Sequence, residues 1–201
     1  MIIMNNNDYT NTYMNRLRFR INPVWVMVVI IFFSCSSCMA LNSTKIELLL
    51  DSGYFPKVKK LITDANSSIR MIMFEASYYK KYKNSPSNQL INALIDAKKR
   101  GLNVEVILDV REKSDRTTKR NLVTGARLKK AGIDVVIDSE QVTTHSKLLI
   151  VDENTVVIGS TNWTYNALTS NHESSVMFDS KETAAELLEF FEKIKKSGKK
   201  L

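Results

Sequence analysis

From Lys45 onward, apolar runs of strand length alternate with amphipathic stretches of helix length. That alternation is the pattern of α/β folds, where strands covered on both faces read as unbroken apolar runs. A helix is expected to start at Pro56, since proline suits the first turn, and to run through Val58, Leu61 and Ile62. Residues 69–74 read as a buried strand. Leu90, Ile91, Leu94 and Ile95 form a helical stripe ended by Gly101, and residues 104–108 are the next strand. The pattern recurs when a helix containing Leu122, Leu128 and the Lys129-Lys130 pair stops at Gly132 ahead of a strand at 133–137. Glycine after a basic last turn adopts the left-handed conformation cheaply, while the lysines offset the helix dipole. Two short strands follow at 148–151 and 155–158 with Asp152-Glu153-Asn154 as the turn between them. A last strand at 174–178 precedes a helix carrying Ala184, Leu187, Leu188, Phe191 and Ile194. The expected architecture is an α/β fold with a mixed, mostly parallel central sheet flanked by helices on both faces, built as one domain over 45–201. The segment around His145 and Lys147 has no second copy in the chain.

Ahead of that domain the pattern changes. Residues 1–20 are polar and end in Arg16, Arg18 and Arg20. Residues 21–44 carry no charge and include a dense apolar run at 24–33. A basic flank followed by an apolar stretch is the order required by a signal peptide or an N-terminal membrane anchor. Small residues at Cys38 and Ala40 would suit cleavage after Ala40. Retention as an anchor stays open, because the whole uncharged stretch is long enough to span a bilayer. Either outcome makes the protein membrane-anchored or secreted, with the domain at 45–201 following the leader. Cys35 and Cys38 are the only cysteines, so that domain has no disulfide and no thiolate metal site. With His145 and His172 the only histidines, a multi-histidine metal centre within one chain is not expected, and neither is a cofactor.

The formal net charge is +8, most of it on the residues after the leader, which favours a polyanionic partner such as nucleic acid or an anionic lipid surface. The segment with the most chemistry is Thr144-His145-Ser146-Lys147, followed by the apolar run to Val151 and then Asp152. Gly159-Ser160-Thr161-Asn162 and Asn171-His172-Glu173 come next. Residues two apart on a strand share a face, so His145 and Lys147 can address one ligand while the apolar residues beyond them hold the strand in the core. Cleaving a phosphodiester needs a nucleophile and a group that binds the non-bridging oxygens as charge builds on them. An imidazole supplies the first and an ammonium the second. Ser160 and Asn162 add neutral hydrogen bonds to a phosphate, and Gly159 permits close backbone approach.

These residues resemble the His-x-Lys-x-x-x-x-Asp signature of the phospholipase D superfamily with its Gly-Ser-x-Asn continuation. The resemblance extends from about Tyr54 to Ile194 and is greatest to the short endonuclease-like and cardiolipin-hydrolase-like members that carry one copy of the signature. It implies a metal-independent, two-step reaction through a phosphohistidine, with His145 as nucleophile and Lys147 as phosphate clamp. It further implies that Glu173 orients the imidazole, that Ser160 and Asn162 bind phosphate, and that Asp152 completes the signature. Because each copy supplies one catalytic histidine, the resemblance implies a homodimer with a shared active site, His172 being the only substitute within the chain. For the substrate, Tyr78, Tyr79, Lys80 and Lys81 form a candidate rim in which lysines hold phosphates and aromatic rings stack bases. Arg111, Lys113, Arg116, Lys119 and Arg120 are positioned to extend it. A nuclease on DNA or RNA is the first reading. A phospholipase D acting on phospholipid head groups is the second, and a catalytically silent, membrane-held phosphate-binding protein the third.

Overall fold

The apolar runs fold into one eight-stranded sheet in the computed structural model, which describes residues 45–201. The segment 1–20 and the leader expected at 21–44 lie outside the described residues. In chain order the strands are β1 (Glu47–Leu50), β2 (Ser68–Met73), β3 (Asn103–Leu108), β4 (Asp134–Ile137), β5 (Lys147–Val151), β6 (Thr155–Gly159), β7 (Ser174–Asp179) and β8 (Lys199–Lys200). The helices are α1 (Tyr54–Asp64), α2 (Pro86–Lys99), α3 (Arg116–Lys130), α4 (Tyr165–Thr169) and α5 (Lys181–Ser197). Across the sheet the order is β1-β7-β6-β5-β2-β3-β4-β8.

The expectation of a mostly parallel sheet is wrong. Only the β2–β3 and β3–β4 pairs are parallel, and the other five neighbours are antiparallel. Parallel neighbours need a crossover long enough to return the chain to the starting edge, and α2 and α3 supply two of them. A tight turn joins β5 to β6, so those strands must run in opposite directions. Asp152 and Glu153 in that turn both take positive φ, 53° each.

Helix ends follow the local chemistry. Ser85, Asp115 and Ser180 cap α2, α3 and α5, each side chain accepting a backbone N–H in the first turn. Gly101 and Gly132 end α2 and α3 with φ of +95° and +82°. The core is split by the sheet. On one face Leu49, Met71, Val106, Val135, Leu149 and Val157 pack beneath α1 and α2. On the other, Ile72, Ile107, Val136, Leu148, Ile150 and Val156 pack against Ala184 and Phe191 of α5. Helices therefore lie on both faces. Among the described residues, no helix is long and apolar enough to cross a membrane.

The strands at the sheet's two edges, β1 and β8, and the short helix α4 are not anticipated by the apolar pattern. Each spans five residues or fewer, too short to establish a period.

Candidate active site

The sheet brings the ends of β2, β3 and β4 and the start of β5 to one edge, where a parallel strand pair meets antiparallel ones. β5 begins at Lys147, so His145 lies two residues ahead of the strand rather than on it. The pair meets all the same. Lys147 Nζ is 3.2 Å from both ring nitrogens of His145 and donates to the His145 carbonyl oxygen at 2.7 Å. His145 is exposed, whereas Lys147 is buried to 7 % exposure. Burial pushes the Lys147 ammonium below its ordinary proton affinity, opposed by the negative charges of Glu173 and Asp109.

Phe74 completes the pair. Its ring centroid is 4.3 Å from that of His145, Lys147 Nζ lies 4.7 Å from it, and the Arg111 guanidinium 5.2 Å. A ring in that position limits the rotamers of the imidazole and holds the two cations apart.

The remaining predicted residues divide into those brought to this edge and those held elsewhere. Ser160 follows the end of β6, and its hydroxyl donates to Glu173 and accepts the Ser174 N–H at 3.0 Å. The backbone of Glu173 is tied to Asp51 in both directions, at 2.8 and 2.9 Å. Gly159 allows a close approach, but to the neighbouring strand. A Cβ there would fall 2.3 Å from Ser175 Oγ and 2.4 Å from the Ser174 carbonyl oxygen. Asn162 Oδ1 accepts the Glu75 N–H at 3.2 Å, which joins its loop to the end of β2.

Asp152 lies at the opposite end of β5 from this cluster. Its carboxylate accepts the N–H groups of Asn66, Ser67 and Ser68 at 2.9, 2.7 and 3.0 Å, together with the Ser67 hydroxyl at 2.9 Å. Partial burial opposes ionisation there, but those donors, Ser68 first, hold its pKa at about 2. The geometry is that of a staple between a hairpin and the loop ahead of β2, not of a group facing a substrate. The side chain of His172 is wholly exposed, 3.5 Å from Asp51.

A cleft of about 1130 Å³ opens beside Asn162, and its walls include Lys81, Lys83, Arg116 and Arg120 but neither His145 nor Lys147. Tyr79 reaches it with its hydroxyl accepting the Tyr165 N–H at 3.1 Å. Tyr78 instead packs on the core with Arg127 stacked over its ring at 4.1 Å. Lys80 is exposed and outside the cleft wall.

Several groups at this edge were not singled out in the sequence. Asp109 and Asp138 are buried and contact Thr144, the residue before His145. Each carboxylate immediately follows an apolar strand run, and that position was the only available signal. Asn121 donates to the carbonyls of Phe74 and Asp109 at 2.7 and 2.8 Å, joining the ends of β2 and β3. Arg120 pairs with the buried Glu75 at 2.5 Å.

Comparison with known proteins agrees with this geometry. The family described as cardiolipin synthase, PLD-like domain, matches residues 58–195. A phospholipase D of Rickettsia prowazekii is 30% identical over 115 residues, covering 57% of this chain and 54% of that protein. The mitochondrial cardiolipin hydrolase of Mus musculus is 30% identical over 138 residues, covering 69% of this chain and 56% of that one. The chain thus spans about half the length of these relatives. Among solved structures, the phospholipase D family member Nuc from Salmonella typhimurium superposes with a TM-score of 0.68 at 26% identity, over 79% of this chain and 99% of that one. NucT from Helicobacter pylori shares the fold, with a TM-score of 0.64 at 19% identity, over 79% and 100% of the two chains. With a paired imidazole and ammonium at the sheet edge and a family match running from α1 into α5, the chain belongs to the phospholipase D superfamily of hydrolases.

Proposed function

We propose that this protein is a metal-independent phosphodiesterase acting on DNA or RNA through a phosphohistidine. The observation that carries the reading is the ammonium of Lys147 held 3.2 Å from an exposed imidazole. In the first step an imidazole nitrogen of His145 attacks phosphorus. The N–P bond forms as the P–O bond to the leaving group breaks, and a second histidine gives that oxygen its proton. Water then attacks phosphorus, the N–P bond breaks, and the second histidine takes the proton from water. Lys147 holds the non-bridging oxygens as negative charge collects on them, with Asn162 as a neutral donor, Ser160 joining it once its hydroxyl turns from Glu173, and Glu173 orienting an imidazole.

The second histidine is His145 of another copy of the chain in a two-fold dimer. An uncovered apolar row supports that assembly. Leu48, Val176 and Ile158 are cross-strand partners on the face that α5 covers only further in, and Leu48 is 65% exposed. Glu173 and Ser160 lie just beyond β7 and β6 at the strand ends next to that row, so a second copy seated there would bring the two edges together. Residues 21–44 would export or anchor the whole.

Nucleic acid is favoured by the cationic cleft, whose lining combines Lys81, Lys83, Arg116 and Arg120 with Tyr82 and Tyr165. Hydrolysis of phospholipid head groups is the second reading, favoured by the curated relatives named phospholipase D and cardiolipin hydrolase. To separate them, the purified full chain is incubated in EDTA with single-stranded DNA, RNA and cardiolipin-containing vesicles. Cleaved nucleic acid is the expected product, and His145→Ala should lower the rate by about 10³-fold or more. Head-group release without nucleic-acid cleavage would select the lipid reading, and binding without turnover would reject an enzyme altogether.

A further inference from the structure

The segment that carries His145 leaves the sheet at Asp138 and rejoins it at Lys147. Residues 140–143 are exposed, and the loop turns inward at Thr144, which is 7% exposed. Two buried carboxylates hold it there. Asp109 Oδ1 accepts the Thr144 N–H at 2.8 Å, and Asp138 Oδ2 accepts the Thr144 hydroxyl. Asp138 Oδ1 also accepts the Ser139 N–H at 2.7 Å, so one side chain binds both ends of the loop.

Asp109 is fully buried, and its second oxygen has no hydrogen bond, lying 3.3 Å from Arg111 Nε. Burying a carboxylate with an unsatisfied oxygen is unfavourable, and an apolar contact could fasten a loop without that cost. What a carboxylate adds is direction, because an N–H and an O–H on adjacent atoms of one residue fix both its position and its rotation. The backbone of Asp109 is itself bound by Asn121, which also holds Phe74, the ring against His145.

We propose that Asp109 and Asp138 are positioning residues for His145, acting through Thr144 to aim the imidazole at phosphorus. The proposal rests on the phosphodiesterase reading for its kinetic consequence only. A displacement of the nucleophile by a fraction of an ångström is felt in the chemical step far more than in binding.

The test uses Thr144→Val, which removes the hydroxyl at constant shape, and Thr144→Ser, which restores it. Both are made in the full chain and assayed on bis(4-nitrophenyl) phosphate. The expected result for Thr144→Val is a kcat reduced about tenfold or more with KM within about twofold, and recovery of most of that loss in Thr144→Ser. Imidazole NMR signals give a second readout that does not need turnover. The His145 signals should move in Thr144→Val and return in Thr144→Ser, while those of His172, wholly exposed and paired with Asp51 instead, stay fixed. If Thr144→Val does not fold, Asp138→Asn weakens the same contact and is judged by the same two readouts. Unmoved His145 signals, a kcat near that of the parent, or a loss that serine does not repair would each overturn the proposal. An unmodified chain inactive on every diester would reject the functional reading, and the NMR comparison would still decide the positioning role.

Discussion

Burial of Lys147 lowers the proton affinity of its ammonium, and the charges of Glu173 and Asp109 only partly restore it. A lysine whose folded pKa lies below its unfolded value makes folding less favourable while both states are charged. That penalty fades as pH rises from the folded value toward the ordinary 10.5. Lys147→Met, close in shape and uncharged, should therefore melt at or above the temperature of the parent at pH 7, with the difference narrowing as pH rises. Its activity should fall about 10³-fold or more. Thermal melts across pH alongside rate assays check both parts, and a variant markedly less stable than the parent at neutral pH would contradict the account. His145 and Lys147 were legible in the chain because, together with Asp152, Gly159, Ser160, Asn162 and Glu173 in matching order and spacing, they resemble the family's signature; a histidine and a lysine two residues apart would by themselves have said little. Asp109 and Asp138 were not, since an aspartate after a strand is usually a solvated turn residue. Only the three-dimensional return of Thr144 makes them buried partners of the site.

Among the elements, α3 shows why periodicity ran short. Its inward face is Thr117, Thr118, Asn121, Thr124, Gly125 and Leu128, which reads as solvent-facing by hydropathy. It is buried because it docks over strand ends whose backbone groups need partners. Asn121 and Thr124 bind both sides of Ala76, and Thr118 accepts the Arg111 N–H. The positions of the six inner strands were legible from apolar runs, but their directions were not, because a run carries no mark of the way its chain returns. The Asp152 staple belongs to this scale as well. A carboxyl with folded pKa of about 2 contributes stability that is complete above its unfolded pKa and lost as pH falls from roughly 4 toward 2. Asp152→Ala should lower stability by about 1–2 kcal/mol at pH 7, allowing for its partly exposed side, and flatten the acid limb of the unfolding curve. Denaturant titrations at several pH values measure this. Loss of turnover with stability intact would instead give Asp152 a part in the chemistry.

For the whole molecule, the surplus of positive charge gathers usefully in one place, where Lys81, Lys83, Arg116 and Arg120 enclose the cleft. The sequence had put Lys81, Arg116 and Arg120 near the substrate. It could not say that Tyr78 packs on the core or that Lys80 lies outside the cleft wall. Assembly gives the last expectation. Leu48→Lys places a charge on the uncovered apolar row and should convert the proposed dimer to monomer, with activity falling at least about tenfold while the fold is kept. Sedimentation equilibrium and circular dichroism follow the two properties, and an active monomer would remove the shared site.

The seam between β2 and β5 has a consequence for how such a protein can change. His145 and Lys147 hang from the antiparallel side, whereas the four cations of the cleft wall come from the loop after β2 and the helix after β3, the segment after β6 closing the cleft at Asn162 and Tyr165. Under the proposed function, the cationic wall and the His145–Lys147 pair are thus written in separate stretches of chain, and drift in the first can redirect the enzyme to another polyanion while the second is left alone.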